Sequence, residues 1–207
     1  MNALETLLSR VGPKRPRLAS SADLGVFLDR QAAFLSQKCI TEFCRVRSGV
    51  FWAKLFSETA FQEALTRATW MGYTPALAMV AELAEGMLQR EAQGRETDLR
   101  SAIERCALSV RAAHTLPQLV DPAAWAAQDG LVRDRLAAAA LAPPRPVRLV
   151  PEPMARLIFA ALPLHVEIVA KDYDYIFNNL RMNLVRAHED FAATADLRAI
   201  AVSLLDA

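Results

Sequence analysis

Asn179, Asn183, Arg186 and Asp190 recur at spacings of four, three and four in the stretch FNNLRMNLVRAHEDF, so on a helix they form one polar lane. Amides offer donors and acceptors and arginine offers a planar fork, so such a lane could read a carboxylate, a phosphate or a partner's backbone. The same amides could instead bridge to a neighbouring helix or loop and satisfy groups left free there. Asparagine competes for backbone hydrogen bonds, so two on one lane cost roughly 1 kcal/mol relative to alanine. A contact that offsets this cost is expected, which makes Asn179, Asn183, Arg186 and Asp190 the first candidate group for a ligand or partner.

Other chemistry finds no suitable spacing. Cys39 and Cys44, five apart on a helix, point in different directions, and Cys106 makes the cysteine count odd. His114, His165 and His188 lack an HExxH or Glu-x-x-His arrangement, so neither a metal nor another cofactor is expected. There is no GxSxG elbow and no glycine-rich phosphate loop in a chain with seven glycines. Asp172, Asp174, Glu189 and Asp190 lie near His165 or His188 in sequence, which alone does not make an acid/base pair. No catalytic residue is assigned, and the expectation leans away from an enzyme.

Trp52 and Phe56 are the second candidate. They belong to the group Phe51, Trp52, Phe56, Phe61, Trp70 and Tyr73, dense for a chain that is 7% aromatic. Large rings dominate cores and interface hot spots alike, so exposure decides between the two: Trp52 and Phe56 exposed together would mark a partner-binding surface.

Arg10, Lys14, Arg15 and Arg17 form a basic arm that could meet nucleic acid, an acidic partner or anionic lipid, or be simply solvated. With 24 Lys and Arg against 23 Asp and Glu, the whole chain has no broad field for nucleic acid, which is not expected as a partner. Lys38, Arg45 and Arg47 suit the negative pole of a helix end. Pro143, Pro146 and Arg148 match a PxxPxR pattern, which a structural linker also explains.

The elements that position these residues are helical. Ser20-Ser21-Ala22-Asp23 opens a long helix with an inward apolar stripe expected through Leu24, Leu28, Leu35, Cys39, Phe43 and Val46, and Gly49 ends or bends it. A helix with Ser57 as its N-cap is expected to stop near Gly72, and Thr74-Pro75 to start another that runs to about Arg90 with Glu82 and Glu85 off its apolar face. Thr97 or Asp98 and then Asp121-Pro122 open further helices. A short helix is expected from about Pro153 to Ala161, then an ambiguous LPLHVEIVAKD in which HVEIV reads as a brief strand, then a long helix over 172–194 with a seam of Ile176, Leu180, Leu184, Ala187 and Phe191. Asp196 starts the last helix.

The fold class expected is all-α, an irregular multi-helix bundle of about seven to nine helices with a Pro-rich connection near 142–153. Its organisation is an N-terminal arm (1–20), a helical bundle (21–141), the connection (142–153) and a C-terminal helical subdomain (154–207) packed on the bundle as one globular unit. No apolar stretch reaches the ~20 residues of a transmembrane helix, and an alanine- and leucine-rich cytoplasmic protein of bacterial texture is expected. The functional expectation is a helical protein-protein interaction or regulatory protein, with a protein partner or a homo-oligomer. The alternative is a binder of a small apolar or anionic ligand or a lipid, in a pocket between the bundle and the C-terminal helices.

Overall fold

The computed structural model describes residues 17–141 and 143–206, so Arg10, Lys14 and Arg15 of the basic arm lie outside the described residues. Ser20 caps α1 (Ser21–Ser48). Its hydroxyl accepts from the Asp23 N–H while the Asp23 carboxylate accepts from the Ser20 N–H, a reciprocal box that satisfies two orphan donors. The helix ends at Gly49, whose φ of 54° a residue with a Cβ rarely adopts. A 3-10 turn (Gly49–Phe51) and α2 (Trp52–Ser57) form the corner into α3 (Thr59–Leu88). Ser57 does not cap α3: it closes α2, its hydroxyl donating to the Lys54 carbonyl at 2.7 Å, and Glu58 takes the cap position.

The stop at Gly72 and restart at Thr74-Pro75 do not occur, because α3 runs unbroken through all three. Pro75 lacks the N–H that would reach the Met71 carbonyl, and Gln128 supplies one in its place, Nε2 to oxygen at 2.8 Å. Thr74 caps nothing, since its hydroxyl accepts from Nε of the buried Arg111 at 3.2 Å. Gly72 is where α1 approaches: a Cβ there would stand 3.0 Å from Ile40 Cδ1. Tertiary partners have overridden punctuation that is sound for an isolated helix.

From Gly72 to Glu85 every residue of α3 is buried, which makes it the central helix of the bundle. Its alanines let neighbours come close. Glu82 and Glu85 are therefore buried with the rest and not surface carboxylates, and both survive because they are paired: Glu82 with Arg135 and Arg145, Glu85 with Arg100 at 3.0 Å.

A 3-10 turn (Gln89–Glu91) leads to α4 (Glu96–Ala112). Asp121 caps α5 (Pro122–Ala126), accepting from the Ala124 N–H, and α6 (Leu131–Ala139) follows. The Pro-rich connection includes a 3-10 turn, Val147–Leu149, and is tied down by Arg145 on Glu82. Then come α7 (Met154–Ala160), α8 (Val166–Val169), α9 (Tyr173–Thr194) and α10 (Leu197–Leu205). The brief strand expected over HVEIV does not form: residues 166–169 are helical, and His165 caps them with its ring nitrogen accepting from the Glu167 N–H. A lone parallel bridge joins Leu18 to Ala195.

The α9 seam is as expected: Ile176, Leu180, Leu184, Ala187 and Phe191 are all buried, and the Phe191 ring lies 4.6 Å from that of Phe27 on α1. Residues before and after the Pro-rich connection enter one core. The described residues form an all-α bundle in which seven helices have seven residues or more. None of their helices is long and apolar enough to cross a membrane.

Candidate functional site

The polar lane on α9 is split between two settings. Asn183 is buried, and its Nδ2 donates to Asn179 Oδ1 at 2.7 Å and to the Asn179 carbonyl at 2.9 Å. Cys39 of α1 donates its thiol to the same Asn179 Oδ1 at 3.3 Å. The two amides form a polar contact between α9 and α1. Arg186 is exposed, and Asp190 pairs with Arg30 at 3.2 Å, so the four residues do not converge on one cavity. Asn183→Ala is expected to lower unfolding free energy by about 1 kcal/mol, the worth of a net hydrogen bond, and to leave ligand or partner binding intact. Urea titration beside a binding assay checks this, and full stability with lost binding would show the amides to be a recognition site.

Burial pushes the Cys39 and Cys44 thiols up to about 12 and raises that of Cys106, which keeps all three protonated and poorly nucleophilic. Among the described residues no three His, Cys, Asp or Glu side chains group in a way that could hold a metal ion. Arg17, the one arm residue described, pairs with Asp196 at 3.2 Å.

The aromatic group divides in two. At the α1–α2 corner Val50 is 89% exposed, Phe51 72%, Val46 55% and Trp52 45%. Phe56 is half-buried, stacking edge-on to Trp52 at 6.1 Å and packing on Phe61 at 5.1 Å. So Trp52 is exposed with Phe51 and the valines, and Phe56 anchors it from beneath. Beside the corner is a shallow cleft of about 340 Å³ lined by Phe51, Leu55, Leu164, Ile168, Arg47 and Lys54, among others. Arg47 is engaged by Asp172 at 2.6 Å and by the Ile168 carbonyl at 2.8 Å.

Trp70 and Tyr73 belong elsewhere, in a cluster that sequence spacing did not reveal. Tyr73 donates its hydroxyl to Asp29 Oδ1 at 2.6 Å, and His114 Nε2 lies 2.8 Å from the same oxygen. Partial burial pushes the Asp29 carboxyl up, but the bonds from Tyr73 and His114 and the His114 charge outweigh it and hold the group below its usual range. Burial and the Asp29 contact raise the Tyr73 hydroxyl well above its ordinary value. The three come from α1, α3 and the turn after α4, Tyr73 and His114 standing 44 and 85 positions after Asp29. The available signal is small: Asp29 shares a helical face with Ala33, Ser36 and Gln37, an uncharged lane interrupted by one carboxylate.

No protein-family model, curated protein or solved structure matches this chain. Function has to come from the side chains. Besides the corner and the Tyr73 cluster, an open apolar groove of about 580 Å³ runs between α3, α5, α6 and α7, lined by Ala64, Ala68, Met71, Leu131, Leu157 and Leu162, among others.

Proposed function

We propose that this protein is a non-catalytic interaction protein whose α1–α2 corner binds an acidic amphipathic segment of a different protein. The observation that carries the reading is the concentration of four exposed apolar side chains, Val46, Val50, Phe51 and Trp52, within seven positions. Scattered exposed apolar residues are ordinary, whereas a cluster built around rings resembles the anchors that dominate interfaces.

The exposed cations Arg45 and Lys54 offer sites for carboxylates on the partner, with Glu58 beside Lys54 in the cleft lining. Lys54 has no ion-pair partner among the described residues, and Arg45 reaches Glu42 only at 4.0 Å while lying over the Trp52 ring. A second copy is the alternative occupant, because two-fold pairing sets each residue against a different one and would allow Lys54 to meet Glu58 of the other copy.

A photo-crosslinking residue at position 51 is expected to give one discrete heavier species in host cells, joined to a segment that carries apolar anchors and carboxylates. The same group at position 202, an exposed site on α10, should give none. Phe51→Ser and Trp52→Ala are each expected to weaken binding at least about tenfold, with stability within about 0.5 kcal/mol of the parent because both rings are exposed. No adduct, or an adduct only to a second copy of this chain, would overturn the proposal.

A further inference from the structure

Between α1 and α3 lies a second cleft of about 330 Å³, its lining distinct from that of the Phe51 corner and including Ser36, Thr66, Thr69, Trp70, Tyr73 and His114. Trp70, Tyr73 and His114 meet at steep angles: Trp70 with Tyr73 at 58°, Trp70 with His114 at 62°, Tyr73 with His114 at 70°, their centres 4.9–6.0 Å apart. Three rings so disposed form the corner of a box. Asp29 stands directly behind it, held by Tyr73 and His114 and with its side chain 43% exposed.

We propose that this cleft binds a small organic cation, an alkylated ammonium group seated against the three rings, with the Asp29 carboxylate outside the lining as a counter-charge behind Tyr73 and His114. The lining contains no lysine or arginine. Its hydroxyls are disposed as acceptors: Ser36, Thr66 and Thr69 spend their hydrogens on the carbonyls of Ala33, Gln62 and Leu65, leaving oxygen lone pairs free. The nearby guanidinium of Arg111 is engaged elsewhere, over the Trp125 ring at 4.4 Å and on Asp129 at 2.6 Å. Aromatic faces, acceptor oxygens and one carboxylate nearby attract a cation, whereas an anion would find only the neutral donors of Gln37, Thr41 and Trp70. An alkylated ammonium also suits the apolar walls, since it sheds its weak hydration readily and needs few donated hydrogen bonds in return.

The test compares choline with its uncharged isostere, in which carbon replaces the quaternary nitrogen, by isothermal titration into the whole protein above the ordinary histidine range. Choline is expected to bind about tenfold tighter or better, a preference that comes from charge alone because the two shapes match. Trp70→Ala is expected to abolish binding of both. Asp29→Asn, whose amide oxygen can still accept from the Tyr73 hydroxyl, should reduce the preference to about twofold, with circular dichroism confirming the fold. The unmodified protein also decides the matter without any variant. No heat with choline, equal affinity for the two compounds, or a preference unchanged in Asp29→Asn would overturn the assignment.

Discussion

Glu82→Ala lowers the unfolding free energy by about 3–5 kcal/mol, the expected result of removing one partner from a buried ion pair. The Arg135 side chain is only 4% exposed, and burial pulls its guanidinium below the ordinary arginine value while Glu82 opposes that pull. Its second anchor is the Val150 carbonyl, 2.6 Å from NH2, which supplies a hydrogen bond but no charge. Without Glu82 a cation is left inside the bundle, with Arg145 beside it. Arg145→Ala should cost much less, about 1 kcal/mol, because that side chain is 36% exposed and its loss leaves the Glu82–Arg135 pair in place. Glu82→Leu combined with Arg135→Met should recover much of the loss, since it removes both charges and keeps the volume. Urea unfolding at constant slope measures all of these, and a Glu82→Ala protein within about 1 kcal/mol of the parent would defeat the argument.

The second large effect concerns Pro75. Gln128→Ala is expected to cost about 1–3 kcal/mol, because the Met71 carbonyl loses the side-chain donor that stands in for the missing N–H of Pro75. In a Pro75→Ala background the backbone N–H of residue 75 is restored, and the same Gln128→Ala change should cost under about 1 kcal/mol. Pro75→Ala has side effects of its own through lost packing, but a double-mutant cycle cancels them and isolates the coupling. Equal costs in the two backgrounds would show that Gln128 acts by packing alone.

Pro75 also marks where the sequence was legible and where it was not. Local chemistry was readable: the Ser20–Asp23 box, Gly49, Asp121-Pro122 and the α9 seam follow from side-chain geometry within a few residues. What escaped depended on groups far along the chain. Nothing near Thr74 announces that Arg111 and Gln128 will arrive to satisfy a proline-bearing helix, and nothing near Gly72 announces Ile40. Glu82 and Glu85 read as surface carboxylates because the arginines that permit their burial lie 53 and 15 residues on. Asn179 and Asn183 were recognisable as a costly pair, and the structural contact that offsets the cost, Cys39, is 140 residues before Asn179. The Asp29–Tyr73–His114 cluster is the same problem at a site: three unremarkable residues on three elements, joined only by folding.

The ring contact between Phe27 and Phe191 has a consequence for synthesis. At a ribosomal rate of roughly 5–20 residues per second, α1 is made on the order of ten seconds before α9 exists to cover it. Meanwhile α3 can shield one side of α1, while the Phe27 side faces water or whatever binds apolar surface nearby. The nascent chain therefore carries a second sticky surface, distinct from the Phe51 corner, which closes only once α9 has emerged. A holding chaperone and the partner proposed for the Phe51 corner would meet this protein at different places and at different stages of its life.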